Sequence, residues 1–197
     1  MIDTFSRKIT HLIKENVNDI TPEKEEIIEY GLKLAVYEVV LTFFVFGVAL
    51  FLGIFKYFLL AFAIYGLLRL VEGGAHMNSR IKCLVTYSIT MFGSVYIAKN
   101  IYVSSPLYCI PVFVLNFYMA YKYAPGDTLE KPILRKKIRF RLKLITLILV
   151  TLLFITAFFA WYFDPVYFNI ILFATLLVTF FLSPIGYRFS GCKRATL

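Results

Sequence analysis

Cysteine and histidine are sparse in this 197-residue chain, with three of the first and two of the second. Cys83, Cys109 and Cys192 are odd in number and stand far from any metal-ligand spacing. Neither a disulfide framework nor a metal site is expected, and no cofactor is expected either. Acidic residues are also few, 12 against 21 Lys and Arg, which leaves a net charge of +9. In a soluble protein that balance would suggest nucleic acid. In a membrane protein it first reflects topology and contact with anionic lipid, so nucleic acid is not an expected partner. The first thirty residues have no apolar h-region and no small-residue cleavage site, so no cleavable signal peptide is expected. No period of roughly 20–50 residues recurs, and the chain reads as one domain over 1–197.

Apolar surface is abundant: 60% hydrophobic residues, 18% aromatics and a mean hydropathy of +0.76 lie well outside the soluble range. Uncharged runs between Lys and Arg anchors give six spans, Leu34–Leu52, Tyr57–Leu68, Cys83–Ala98, Asn100–Tyr121, Leu144–Phe163 and Pro165–Tyr187. Lipid offers no partner to free backbone groups, and the runs are apolar on both faces, so they predict helices rather than an alternating barrel. The predicted fold is all-α, a polytopic membrane bundle of six transmembrane helices.

With the N-terminus inside, nineteen of the twenty-one basic residues fall in cytoplasmic segments, and only Lys56 and Lys99 fall outside. The positive-inside rule therefore places both termini in the cytoplasm. Tyr57–Leu68 supplies twelve uncharged residues, roughly 18 Å of helix, and Cys83–Ala98 supplies sixteen, roughly 24 Å. Both runs are short for a bilayer and flank one loop, so the loop Val71–Lys82 is expected to dip into the headgroup zone.

Segment 1–33 repeats apolar residues at Ile2, Phe5, Ile9, Leu12, Ile13, Val17 and Ile20, the spacing of one helix face. This predicts an amphipathic helix on the membrane surface. Thr21-Pro22 followed by Glu23 and Glu25 marks the start of a second helix that leads into the first span.

Most of the reactive side chains fall within the cytoplasmic loop 69–83: Arg69, Glu72, Gly73, Gly74, His76, Asn78, Ser79, Arg80 and Cys83. A thiol with a nearby imidazole suits nucleophilic catalysis, the imidazole taking the thiol proton. In an unbroken helix, however, His76 and Cys83 would lie about 10 Å apart along the axis, so the chain must bend between them. Gly73-Gly74 permits the bend, and Asn78 or Ser79 can cap a new helix that contains Cys83 in its early turns. That helix start, together with Arg80 and Lys82, is expected to favour the thiolate. Glu72, Asp127 or a backbone carbonyl could each orient His76, and a backbone N–H of Gly73-Gly74 could stabilise an oxyanion.

Other polar residues have structural readings. His11 belongs to the polar side of the first helix, Cys109 to packing, and Cys192 to a reduced surface thiol. Asn116 suits a helix–helix hydrogen bond, and Glu38 either an interfacial position or an intramembrane site. The basic loop 122–143 holds a rigid turn, Ala124-Pro125-Gly126-Asp127-Thr128, followed by Lys131-Pro132. Six positive charges then follow in nine residues, Arg135, Lys136, Lys137, Arg139, Arg141 and Lys143. This run suits anionic lipid or an acidic peptide tail.

The string Gly73-Gly74-Ala75-His76-Met77-Asn78-Ser79 with Cys83, and the second motif from Ala124 to Pro132, resembles the accessory gene regulator B family over nearly the whole chain. The resemblance implies a cysteine endopeptidase of the bacterial cell membrane, acting at the cytoplasmic face in quorum sensing. Its substrate would be an accessory gene regulator D-type propeptide with an amphipathic helix and an acidic C-terminal tail. Cys83 would be the nucleophile, holding the cut peptide as a thioester, and His76 its base. An internal nucleophile of the peptide would then close a thiolactone or lactone ring.

By the same resemblance Arg69 and Gly74 support activity, with Glu72 and Ser79 beside them. Arg80, Asp127, Lys131, Arg135, Lys136 and Lys137 are the candidate substrate-binding residues. A homodimer is compatible with this reading. Two others stay open on the residues alone: a non-enzymatic transporter or export partner, and an acyltransferase that uses Cys83 on a lipid. The first would want matched mid-membrane charges or helix breaks, and the sequence offers none beyond Glu38, Pro106 and Pro111.

Overall fold

The computed structural model describes residues 2–17, 21–77, 79–129 and 132–195. Lys131 and Asn78 lie outside the described residues, as does the side chain of Arg80. The described residues form helices α1 (Ile2–Asn16), α2 (Pro22–Phe51), α3 (Phe55–Glu72) and α4 (Arg80–Asn100), a 3-10 turn (Pro106–Tyr108), then α5 (Cys109–Tyr123), α6 (Lys136–Phe163), α7 (Pro165–Leu182) and α8 (Pro184–Ser190). Among the described residues four helices are long and apolar enough to cross a membrane: α2, α4 over Ile81–Asn100, α6 and α7. The chain is an all-α, multi-pass membrane bundle.

Contacts divide it into two compact units, Met1–Gly53 and Ile54–Leu197. In the first, α1 packs on α2, and Arg7–Glu29 and Lys14–Glu25 ion pairs tie them together. The expected second start is present. The Thr21 side chain accepts from the Lys24 N–H, Pro22 occupies the first turn, and Glu23 and Glu25 complement the positive helix end. One continuous helix then runs to Phe51, with Phe43, Phe44 and Phe51 exposed, as lipid-facing side chains are.

The second unit is built around α7, which touches α3, α4, α5 and α6. Its Phe168, Ile170, Ala174, Val178 and Leu182 are all buried. Ile64 and Leu68 of α3 and Val150, Phe154 and Ala157 of α6 close over it. Polar side chains join the helices where backbone or neighbouring groups need partners. Asn169 donates to the carbonyls of Ala98 and Ile101, both at 2.9 Å, and so satisfies the C-terminal end of α4. Thr179 donates to Asn116, which is the helix–helix bond expected of that residue.

Two span boundaries differ from expectation, each because of proline. The run from Asn100 breaks at once, since Asn100 is the last residue of α4. Residues 101–105 are non-helical, Ser105 caps a turn that begins at Pro106, and α5 starts only at Cys109. The run to Tyr187 breaks after Leu182 because Pro184 lacks an N–H and keeps Ser183 extended (φ −71°, ψ 156°). Ser183 then accepts from the Gly186 N–H and starts α8. The basic segment is also more ordered than a loop, since Lys136–Lys143 are the first two turns of α6.

Replacing Asn169 by Ala leaves the buried Ala98 carbonyl and the part-buried Ile101 carbonyl without their donor and is expected to cost roughly 1–3 kcal/mol. A lower midpoint of thermal unfolding in detergent checks this; an unchanged midpoint would show that the two carbonyls find other partners.

Candidate functional site

Helix α3 ends where glycine allows it. Gly73 has φ +69° and donates to the Arg69 carbonyl, Gly74 has φ +114°, and residues 74–77 carry no helix. Ser79 is the N-cap of α4, extended at φ −131°, and the Cys83 N–H makes the first-turn bond to the Ser79 carbonyl at 2.9 Å. The predicted break between His76 and Cys83 is therefore there: His76 lies on the extended segment and Cys83 one turn into the next helix. Both side chains are exposed.

Three groups hold the extended segment. Gly74 N–H donates to the Gly126 carbonyl (2.9 Å) and Gly126 N–H to the Glu72 carbonyl (2.7 Å), a parallel bridge between the two motifs. Ala75 N–H donates to the Phe181 carbonyl (2.9 Å), a group near the end of α7 that the break at Pro184 leaves without a helical partner. The Arg69 guanidinium donates to the Gly73 carbonyl (2.7 Å) and the Ala75 carbonyl, and lies over the Phe181 ring at 5.7 Å.

No side chain larger than hydrogen fits at these crossings. A Cβ on Gly73 would stand 2.1 Å from the Gly126 oxygen, one on Gly74 would stand 2.3 Å from an Arg69 nitrogen, and one on Gly126 would stand 2.9 Å from Gly74 Cα. The N–H groups of Gly73, Gly74 and Ala75 are all engaged within the protein. This corrects the expectation that Gly73-Gly74 could offer an oxyanion donor.

The level of Cys83 follows from helix packing. Phe58 stacks on Phe92 at 4.8 Å and Tyr65 contacts Tyr87 at 5.6 Å, which fixes an antiparallel register between α3 and α4. One turn further on each helix, that register sets Arg69 level with Cys83. Arg69 thus holds the carbonyl that precedes His76 and stands at the level of the thiol.

Glu72 lies past the apolar run of α3 and is 1% exposed, and its Oε1 has no hydrogen-bond partner among the described residues. Burial pushes its carboxyl up to about 7, with Arg69 pulling partly the other way. The carboxyl is in the interior, whereas His76 is exposed.

Asp127, expected among the substrate-binding residues, is buried. Its Oδ2 accepts from Arg139 and from the Ile133 N–H (3.2 Å), and its carbonyl accepts from the Tyr187 hydroxyl (2.9 Å). Arg135, Lys136 and Lys137 are exposed at the start of α6. Cys109 is buried in the core, and His11 pairs with Glu15 at 3.2 Å on exposed α1. Glu38 is exposed on α2. No cluster of three metal-ligating side chains occurs among the described residues. Sequence reading missed Phe181, Gly126 and Tyr187 as supports of the loop. A Pro-Gly turn and a proline break near the end of the last span were the available signals.

A bundle of membrane helices with an imidazole on a loop pinned by two distant segments, and a thiol in the first turns of the helix that follows, defines the class, a multi-pass membrane protein with a candidate site at a helix–loop junction. The chain belongs to the accessory gene regulator B family, whose sequence profile matches residues 6–182. An AgrB-like protein of Clostridium perfringens strain SM101 is 28% identical over 149 residues, 73% of this chain and 69% of that one. A second AgrB-like protein, from Clostridium perfringens strain 13, is 28% identical over 155 residues, with the same coverage. One from Clostridium acetobutylicum is 28% identical over 98 residues, half of this chain and 46% of its own. No solved structure matches the chain.

Gly73→Ala forces both a left-handed backbone and a backbone collision, with an expected loss of roughly 2–4 kcal/mol. Gly66→Ala, a helical position with nothing within 4 Å of the new Cβ, is the control. Comparison of their unfolding midpoints decides it, and equal midpoints would refute the crossing.

For Glu72 the folded-state value, about 7, lies above the ordinary 4.5. The folded chain therefore holds the proton longer than the unfolded one, and stability falls as pH rises from about 4.5 to about 7, by a total on the order of 3 kcal/mol. Glu72→Gln should flatten that part of the melting-point profile. A variant profile as steep as wild type would remove Glu72 as its source.

Proposed function

We propose that this chain is a cysteine endopeptidase of the bacterial cell membrane that cuts an accessory gene regulator D-type propeptide. It holds the product as a thioester on Cys83 and leads to a cyclic autoinducing peptide for quorum sensing. The observation that carries the reading is the convergence on Arg69: its guanidinium fixes the carbonyl before His76, and the α3–α4 register brings Cys83 level with it. Family membership supports the link to quorum-sensing peptide processing.

In this mechanism His76 takes the Cys83 thiol proton, and the sulfur attacks the scissile carbonyl. The peptide C–N bond breaks, and His76 returns the proton to the departing amine of the acidic tail. Placement of Cys83 at the start of α4 favours the anionic sulfur. The acyl-enzyme keeps its reactivity, and a Cys or Ser within the same peptide attacks it at high effective concentration. The ring closes as Cys83 is released.

Six spans with both termini in the cytoplasm suit this chemistry. They add α3 and α5 to the four long helices and place the loop and the basic start of α6 on the side where the propeptide is made. Exposed Arg135, Lys136 and Lys137, with Arg80 and Lys131, would meet the acidic tail, and the exposed apolar residues Phe5 and Leu12 of α1 suit the membrane surface.

Co-expression of a candidate propeptide with wild type, Cys83→Ala and His76→Ala, read by intact mass, tests the proposal. Wild type should release the tail and yield a product one water lighter than the cut peptide, while both variants should lose at least about 100-fold in cleavage. Processing by Cys83→Ala at the wild-type level would sink it.

A further inference from the structure

We propose that the pair of buried Asp127 with half-buried Arg139 is a positioning device for the His76 loop, so that Arg139 serves the reaction from outside the substrate and does not belong to the basic docking cluster. The inference rests on the peptidase reading and concerns a residue whose neighbours Arg135, Lys136 and Lys137 look alike in sequence.

The chain of contacts is continuous. Arg139, in the first turn of α6, donates to Asp127 Oδ2 and reaches the Ile133 carbonyl at 3.4 Å. The Asp127 side chain has no solvent exposure, whereas that of Arg139 keeps 29%. The same carboxylate oxygen accepts the Ile133 N–H, and the Tyr187 hydroxyl of α8 holds the Asp127 carbonyl. The pair therefore ties the entry of α6 to the turn after α5, and Tyr187 ties that turn to α8.

Residue 126, directly before Asp127, is the one whose carbonyl and N–H clasp Gly74 and Glu72. A shift of Asp127 is passed through a single peptide unit to the segment that carries His76. The turn has further anchors on its other side. Arg194 donates to the Tyr123 carbonyl, and the Leu129 N–H donates to the Lys193 carbonyl at 3.2 Å. Loss of the ion pair should therefore loosen the register of the turn without unfolding it.

A buried carboxylate stripped of its cation either takes up a proton or draws in water, and both displace it from its present partners. Docking cations behave differently. Neutralising an exposed charge weakens encounter and affinity in a salt-dependent way.

The test uses the full-length chain in lipid nanodiscs with a synthetic peptide of accessory gene regulator D type, bearing an internal cysteine and an acidic C-terminal tail. Arg139→Gln should lower kcat tenfold or more with KM within about twofold of wild type, and Arg139→Lys should recover part of the loss. Arg135→Gln combined with Lys137→Gln should instead raise KM, most strongly at low salt. Asp127→Asn should reduce kcat similarly, and Arg139→Gln added to it should cost little more, since both remove one interaction.

A second readout needs no substrate turnover: the pH profile of iodoacetamide alkylation at Cys83, resolved by peptide mass, should shift in Arg139→Gln. The proposal is overturned if Arg139→Gln acts through KM with the salt dependence of the docking pair, if its effect adds fully to that of Asp127→Asn, or if the alkylation profile is unchanged. Failure of wild type to cleave would count against the peptidase reading, and the alkylation profile would still decide the positioning role.

Discussion

The arrangement depends on one planar cation. Arg69 presents two N–H groups in a fixed fork, and it reaches the carbonyls of Gly73 and Ala75 across a glycine pair that adopts positive φ at both positions. A lysine could supply charge but not two parallel donors, and a side chain on Gly74 would occupy the space of the guanidinium. Arginine and glycines are thus a single unit. Their joint product is a short strand-like segment at the end of a helical bundle, where a lone extended stretch would otherwise lack backbone partners. The second motif supplies one of those partners and the end of α7 the other.

The break between His76 and Cys83 was legible in the sequence because it is local, with Gly73-Gly74 freeing one side and an extended Ser79 at the N-cap position of α4 on the other, although its side chain makes no capping bond. Helical identity was legible for the same kind of reason, since long uncharged runs leave the backbone no other choice in lipid. Two things were hidden. Gly126 and Phe181 meet the loop from 50 and more residues away, and no periodicity reports such a contact. Asp127 reads as a polar turn residue, and only its distance-independent neighbour Arg139, one cation among six, makes it a buried partner. The boundaries at Pro106 and Pro184 were visible as prolines, but hydropathy alone does not say on which side of a proline a helix resumes.

Charge placement at α6 is a second constraint. Its first two turns carry Lys136, Lys137, Arg139, Arg141 and Lys143, and no acid stands in the first turn. Cations at a helix N-terminus oppose the macrodipole by a few tenths of a kcal/mol each, so helix stability does not account for them. Arg139 is explained by Asp127, and Lys143 lies over the Tyr121 ring at 4.3 Å. Arg135, Lys136, Lys137 and Arg141 are left exposed, where the acidic peptide tail proposed above would offset their cost to the helix. Anionic headgroups and the acidic end of a peptide both have the required chemistry.

The location of the thiol bears on the fate of an acyl-enzyme. Water competes with an internal nucleophile for a thioester, and ring closure prevails when the tethered group is held close while water is held back. Cys83 stands one turn into an apolar helix beside the Tyr65–Tyr87 pair, and the buried segment Gly74-Ala75 leads to His76. In the proposed site the thiol would therefore have aromatic side chains on one side and, on the other, backbone whose N–H groups are already engaged. Such a surface orders little water of its own. Because His76 and Cys83 are exposed, an apolar peptide next to the scissile bond would itself have to supply the exclusion of water.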